Sequence, residues 1–177
     1  MIKGSSLKYV FPIGLVIAFF LDGSLSYNLA PFLYRSYSMV PYLSLFWLVT
    51  AVFFVDDYNL HIEAWAALAG AGLDWYYIGV WGVFIFIFPL VIYFSRVLYR
   101  YLSINFFSAF AIYLVDLVIV LLLGDLASRI ISRVSHVVTF SGMNFLLYSL
   151  VPTLVLNAVL FIILYFPVRQ LYDYCQR

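Results

Sequence analysis

The sequence predicts an all-α polytopic membrane protein, one integral membrane domain over residues 1–177 with about six transmembrane helices. Three observations predict it. First, 67% of the residues are hydrophobic and only 10% charged, more apolar surface than a water-soluble domain of this size can bury. Second, the apolar residues come in helix-length runs, not in the short alternating segments of a membrane barrel. Third, Tyr and Trp gather where runs end, as at Trp75, Tyr76, Tyr77 and Trp81, the headgroup level that suits a ring with a polar tip.

The first span covers Lys8 to Leu29, with Pro12 in its opening turns, where proline is tolerated, and Asp22-Gly23 late in it. A connection from Ala30 to Ser38 carries Arg35. The second span, Met39 to Val55, starts beside Pro41 and stops at Asp56-Asp57. A shorter third span runs from Leu60 to Leu73 with Glu63 in its first turn. The fourth, Ile78 to Tyr93, contains Pro89 and is expected to bend there. Asn105 to Gly124 forms the fifth and buries Asp116. The sixth, Asn144 to Phe166, holds Pro152 and ends at Pro167-Val168-Arg169.

Between the last two spans, Asp125 to Gly142 changes character. Ile130, Ile131, Val134, Val137 and Val138 recur on one helical face, with Ser128, Arg129, Ser132, Arg133 and His136 on others. That is the pattern of an amphipathic helix in the membrane interface, and equally of an extension of span five.

The middle of the chain, Ala66 to Phe88, is the most distinctive stretch. Ala66/Gly70 and Ala67/Ala71 have the small-xxx-small spacing that lets membrane helices approach closely, and Gly14/Ala18 repeats it in span one. Asp74, the aromatic belt, Gly79 and Gly82 follow. The reading is a tightly packed helix, a short turn and a returning helix. The helix-packing and partner-facing candidates are Gly14, Ala18, Ala66, Gly70, Gly79 and Gly82.

Charge sets the expected orientation. With six spans, Lys3, Lys8, Arg96, Arg100, Arg169 and Arg177 share one side, and Arg35, Arg129 and Arg133 the other. The positive-inside rule then puts both termini in the cytoplasm. If Leu60 to Leu73 does not cross, the C-terminus moves outside. A net charge of +1 argues against nucleic acid as a partner, leaving membrane lipid and other membrane proteins. The lone Cys175 excludes an internal disulfide or thiolate metal site; beside the membrane it reads as a lipidation site or a bystander.

The intramembrane polar candidates are Asp22, Asp74, Asp116, Ser149, Thr153 and Asn157. Asp116 and Asn157 share a depth, and Ser149, Thr153 and Asn157 fall at i, i+4 and i+8 on span six. They suggest a polar seam between spans five and six, which serves either to glue the helices or to handle protons or ions. Asp22 and Asp74 lie near the ends of their spans, where they can face each other, pair with Arg35 or Arg129, or line a small cavity. His61 and Glu63 do not make a metal site, because residues two apart on a helix face apart. No nucleophile–base pair and no phosphate loop occurs, so no catalytic, cofactor-binding or metal residue is expected.

Three stretches carry a family resemblance. Phe20-Leu21-Asp22-Gly23, the Gly70-to-Gly82 segment with its Asp74, Tyr76 and Tyr77, and Tyr148 to Asn157 with its Leu-Val-Pro-Thr core stand in the order found in MreD. The chain resembles this bacterial rod shape-determining family in its Gram-positive form. The resemblance implies a cytoplasmic-membrane scaffold that binds MreC, a single-span protein. Together with MreC it would support, directly or indirectly, cell-wall elongation by a SEDS glycosyltransferase and a class B penicillin-binding protein. It implies no catalytic residues. It also implies a fold like that of the substrate-binding subunits of energy-coupling-factor vitamin transporters, so a transporter subunit is the alternative function.

Overall fold

A computed structural model of the chain describes residues 7–55, 60–78, 82–102, 105–135 and 142–176. Those residues form helices α1 (Leu7–Asn28), α2 (Ala30–Leu33), α3 (Leu43–Phe54), α4 (Ile62–Leu73), α5 (Phe84–Tyr101), α6 (Phe106–Ser135), α7 (Gly142–Phe145) and α8 (Val151–Gln176). Five-residue π-helical turns, Asp74–Ile78 and Leu146–Leu150, follow α4 and precede α8. No strand occurs among the described residues.

The helices are arranged around α3. Every residue from Leu43 to Phe53 is buried, on all faces of the helix. A helix apolar all round belongs inside a bundle, and α3 is enclosed by α1, α4, α5, α6 and α8. At about 1.5 Å per residue it is only ~18 Å long, short of a bilayer's hydrocarbon core. Four helical stretches are long and apolar enough to cross: Leu7–Asn28, Phe84–Tyr101, Phe106–Ile131 and Gly142–Cys175. They enclose the shorter α3, while α4 packs on α5, α3 and α1 with Leu68 left exposed.

The long helices carry apolar side chains on their exposed faces as well as their buried ones, unlike those of a soluble protein. On α8, Thr153, Asn157, Phe161, Tyr165 and Tyr172 are buried, while Val155, Val159, Ile162, Ile163 and Phe166 are exposed on the opposite side. The buried stripe packs as a ladder of rings. Phe161 meets Phe46 of α3 edge-on and stacks on Tyr113 of α6, and Tyr165 meets Phe106 edge-on. The exposed stripe is aliphatic or aromatic throughout, a surface suited to lipid and not to water.

Helix boundaries depart from the sequence expectation in three places. The fourth span, expected over Ile78 to Tyr93, is α5, which starts at Phe84 and runs to Tyr101. The second span begins at Leu43, not Met39, because residues 38–42 are non-helical ahead of α3. Val40 precedes Pro41, whose ring pushes the preceding residue out of the helical region. The sixth span does not end at Pro167; α8 passes through it to Gln176. Tyr172, one turn beyond, stacks on Trp47 at 5.1 Å and also contacts Phe54, so tertiary packing holds the helix past its missing backbone donor. The helix α6 runs unbroken to Ser135, the extension of span five that the sequence left open. The amphipathic segment therefore extends span five as far as it is described; His136, Val137 and Val138 lie outside the described residues.

The small-residue faces are occupied within the chain. A Cβ on Gly70 would lie 2.1 Å from the Phe84 carbonyl oxygen, so Gly70 lets α4 touch the backbone at the start of α5. Gly14 sits under the Trp47 ring, whose Nε1 donates to the Phe11 carbonyl at 3.0 Å. Ala66 and Ala18 are buried alongside. These four positions are thus internal packing contacts, the helix-packing part of their expected role. Gly82 has a different role: its φ of +97° and open surroundings make it a turn residue before α5. Gly79 lies outside the described residues. Glu63 of α4 pairs with Arg96 of α5, fixing the other end of the same antiparallel pair.

Candidate functional site

Asp22 and Asp74 do the same job at two places. The α3 N-terminus has no cap from its own sequence, since Tyr42 offers no side-chain hydrogen bond there. Asp22 of α1 supplies it from outside. Its Oδ1 accepts from the Leu43 amide at 2.5 Å, and its Oδ2 from the Ser44 amide at 3.0 Å and the Ser44 hydroxyl at 2.7 Å. The first amides of a helix lack intrahelical partners and carry its positive dipole end, so a carboxylate stabilises them twice over.

Asp74 is fully buried at the end of α4. Its Oδ2 accepts from the amides of Gly82, Val83 and Ile85 at 3.0–3.1 Å, and its Oδ1 from that of Phe84 at 2.9 Å. The helix α5 likewise has no side-chain cap of its own. One carboxylate therefore closes the α4–α5 hairpin by gathering four amides of the turn. Of the three arrangements open from sequence, Asp22 does line a cavity, beside Ser26, Tyr34 and Tyr42. Among the described residues neither carboxylate pairs with Arg35 or Arg129; the latter bonds Asp125 one turn away at 2.6 Å.

The stripe on α8 has a third structural role. Residues 38–42 carry backbone groups with no helical partners, a liability at membrane depth unless protein satisfies them. The Asn157 side chain accepts from the Tyr42 amide and donates to the Val40 carbonyl, both at 2.8 Å, and also donates to the Thr153 carbonyl. Thr153 Oγ1 accepts from the Val40 amide at 3.3 Å and donates to the Ser38 carbonyl at 3.1 Å. The Ser38 amide donates to the Tyr148 carbonyl at 2.7 Å. Two side chains of α8 thus satisfy an irregular segment more than a hundred residues earlier. Ser149, half-buried in the π-helical turn, makes no side-chain hydrogen bond to it among the described residues.

The expected seam between Asp116 and Asn157 is not what forms. Asp116 turns to α5, where the buried Ser95 hydroxyl donates to its Oδ2. Its Oδ1 finds no partner among the described residues. Asn157 is bonded to the 38–42 segment, and its contact with α6 is with Tyr113, whose hydroxyl donates to Oδ1 at 3.3 Å. Asp116 and Asn157 thus bond different neighbours, α5 on one side and the 38–42 segment on the other.

Sequence reasoning missed Ser44, Ser95 and Tyr113, which carry no distinguishing pattern. It also missed the 38–42 segment, for which a signal existed: Val40-Pro41 implies extended backbone, and extended backbone in an apolar chain needs partners. His61 is exposed and left-handed at φ 41° ahead of α4.

Replacing Asn157 with leucine leaves the Tyr42 amide and the Val40 carbonyl without their side-chain partner. A loss of about 3 kcal/mol is expected, read as a lower melting temperature in detergent. Tyr113→Phe removes only one long bond and should cost much less. Equal melting of Asn157→Leu and wild type would show that these bonds contribute nothing.

Neither a curated protein nor a solved structure matches this chain, so the expected likeness to transporter substrate-binding subunits has no solved counterpart here. A family model does match, over residues 8–175, taking in the Asp22, Asp74 and Asn157 stretches alike. The chain belongs to that family, the rod shape-determining protein MreD.

Proposed function

We propose that this shape-determining membrane protein is a non-enzymatic scaffold. It sits in the bacterial cytoplasmic membrane with both termini on the cytoplasmic side and binds an MreC-like single-span protein. Through that partner it supports a SEDS glycosyltransferase and a class B penicillin-binding protein during wall elongation. Family membership carries the reading. The use of the buried polar groups supports it: Asp22, Asp74, Thr153 and Asn157 all bond the chain's own backbone. Groups committed to holding helix ends and an irregular segment are construction elements, not acid–base catalysts.

With the small-residue faces closed inside the bundle, a partner helix must use an exposed surface. The cleft between α5 and α6 suits one. It is bounded by Phe86 and Leu90 on one side and Leu126 and Ile130 on the other, with Gly82 and Ala127 leaving room between them. Close approach of helices in lipid depends on such local absence of bulk.

Co-purification from solubilised membranes tests both statements. The tagged wild-type chain should recover an MreC-like protein, and filling the cleft with Ala127→Phe should reduce the yield several-fold at equal chain abundance. Undiminished recovery would move the docking face elsewhere. Recovery of a soluble small molecule and a coupling subunit, with no MreC-like protein, would overturn the scaffold reading in favour of a transporter subunit.

A further inference from the structure

The end of the bundle where α1 finishes holds two adjoining cavities. The inner one, about 320 Å³, has Asp22, Ser26, Tyr34 and Tyr42 in its wall beside Leu73 and Phe84. The outer one, about 580 Å³, follows the α1 face from Phe20 to Asn28 and reaches Tyr76. Ser26 and Tyr34 line both, so the chambers share a boundary. Each volume falls within the range of about 300–1,000 Å³ usual for ligand sites.

Both chambers offer the same chemistry. Hydroxyls come from Ser26, Tyr34 and Tyr42 in the inner wall and from Ser24 and Tyr27 in the outer one. These hydroxyls make no hydrogen bond among the described residues, so each can both donate and accept. Asn28 donates its side-chain amide to the Ser24 carbonyl at 2.8 Å, which leaves its Oδ1 to accept. Asp22 Oδ1 accepts only the Leu43 amide and keeps room for a second donor. The rings of Phe20, Tyr27, Tyr34 and Tyr76 are exposed around these groups. No Lys, Arg or His lines either chamber.

These walls discriminate among ligand classes. An anion finds no cation, and the nearby N-termini of α3 and α5 already hold Asp22 and Asp74. Hydrocarbon would cover the hydroxyls without replacing their bonds to water, which is costly. An organic cation would use the acceptors and leave the hydroxyl protons unpaired. A sugar uses everything present. Its hydroxyls both give and take hydrogen bonds, and the weakly positive C–H face of a pyranose lies well against the negative face of an aromatic ring.

We propose that the two chambers bind a neutral saccharide, with one ring in the inner chamber and the next in the outer. The sugar arrives either as a free glycan or as the headgroup of a glycolipid, because the site lies at the end of a membrane-length helix. It shares no lining residue with the α5–α6 cleft and does not depend on where a protein partner docks.

A glycan array tests it. The full chain is held in phosphatidylglycerol nanodiscs, free of sugar-based detergent, and applied to neutral and acidic mono- to tetrasaccharides. Binding to neutral glycans is expected, with acidic ones of equal length weaker by about tenfold or more. Ser26→Trp places a ring at the shared boundary and should weaken neutral binding by about tenfold or more. Tyr34→Phe keeps the ring and removes the hydroxyl; it should weaken binding several-fold at unchanged melting temperature, and it decides the matter if the tryptophan variant does not fold. Native mass spectrometry of nanodiscs doped with diglucosyl diacylglycerol separates the two sources. Retention of that glycolipid over phosphatidylglycerol, weakened by the same substitutions and without array binding, identifies a lipid headgroup; array binding identifies a free glycan. Absence of both signals, a preference for acidic glycans, or binding that survives both substitutions would overturn the proposal.

Discussion

Asp74→Ala is expected to be the most destructive single substitution in this chain. It leaves the amides of Gly82, Val83, Phe84 and Ile85 without their acceptor at the start of a membrane-length helix. Hydrogen bonds to a carboxylate contribute about 1.5–3 kcal/mol each, and four that share one acceptor do not add fully, so a loss of about 5 kcal/mol follows. Water can reach some of these amides but not that of Phe84, a residue that is itself buried. Asp74→Asn keeps one acceptor oxygen and should fall between alanine and wild type. Melting in detergent and steady-state abundance in membranes both measure this. An alanine variant that accumulates and melts like wild type would remove the capping role assigned to Asp74. Asp22→Ala should follow the same order with a smaller loss, because Ser44 can turn its own hydroxyl toward the vacated amides.

The second large effect is expected at Gly70. A single methyl there meets the Phe84 carbonyl at 2.1 Å, and the obstruction is backbone, which cannot rotate away. Gly70→Ala must push α5 off α4, at about 3 kcal/mol by the usual cost of overpacking. The displacement also drags the start of α5 away from Asp74, so the two losses are coupled. Gly72 provides the comparison on the same helix. Its added methyl would meet only the Phe19 ring, at 3.1 Å, and a side chain can give way by that much. The expected order of melting temperatures is therefore wild type, then Gly72→Ala, then Gly70→Ala well below. Equal melting of the two alanine variants would contradict the close α4–α5 contact. A partner-interface role for Gly70 predicts something else again: normal melting with loss of the bound protein.

These two positions show why small-xxx-small spacing is ambiguous. Ala66/Gly70 announces that a backbone comes close but not whose backbone. In this fold it is the next helix of the same chain, joined by a short turn, and the hairpin closes before any partner arrives.

By itself the sequence determined the class, the approximate helices and the identity of the polar residues that matter. Apolar runs and aromatic run-ends are properties of a segment, legible without knowing its neighbours, and Asp22, Asp74, Asp116, Thr153 and Asn157 stand out because a polar group in such a run needs a reason. The tertiary structure alone decided what each of them touches. Asp22 meets a helix start 21 residues later, and Asn157 a segment 115 to 117 residues earlier. Those pairings depend on how helices rotate and assemble side by side, which linear spacing does not encode. The helix limits divide the same way. Pro12 sits in the opening turns of α1 as local rules allow, whereas α8 runs through Pro167 because Tyr172 has Trp47 and Phe54 to pack against. Composition settles which solvent a segment prefers; only packing selects the partner that satisfies each buried group.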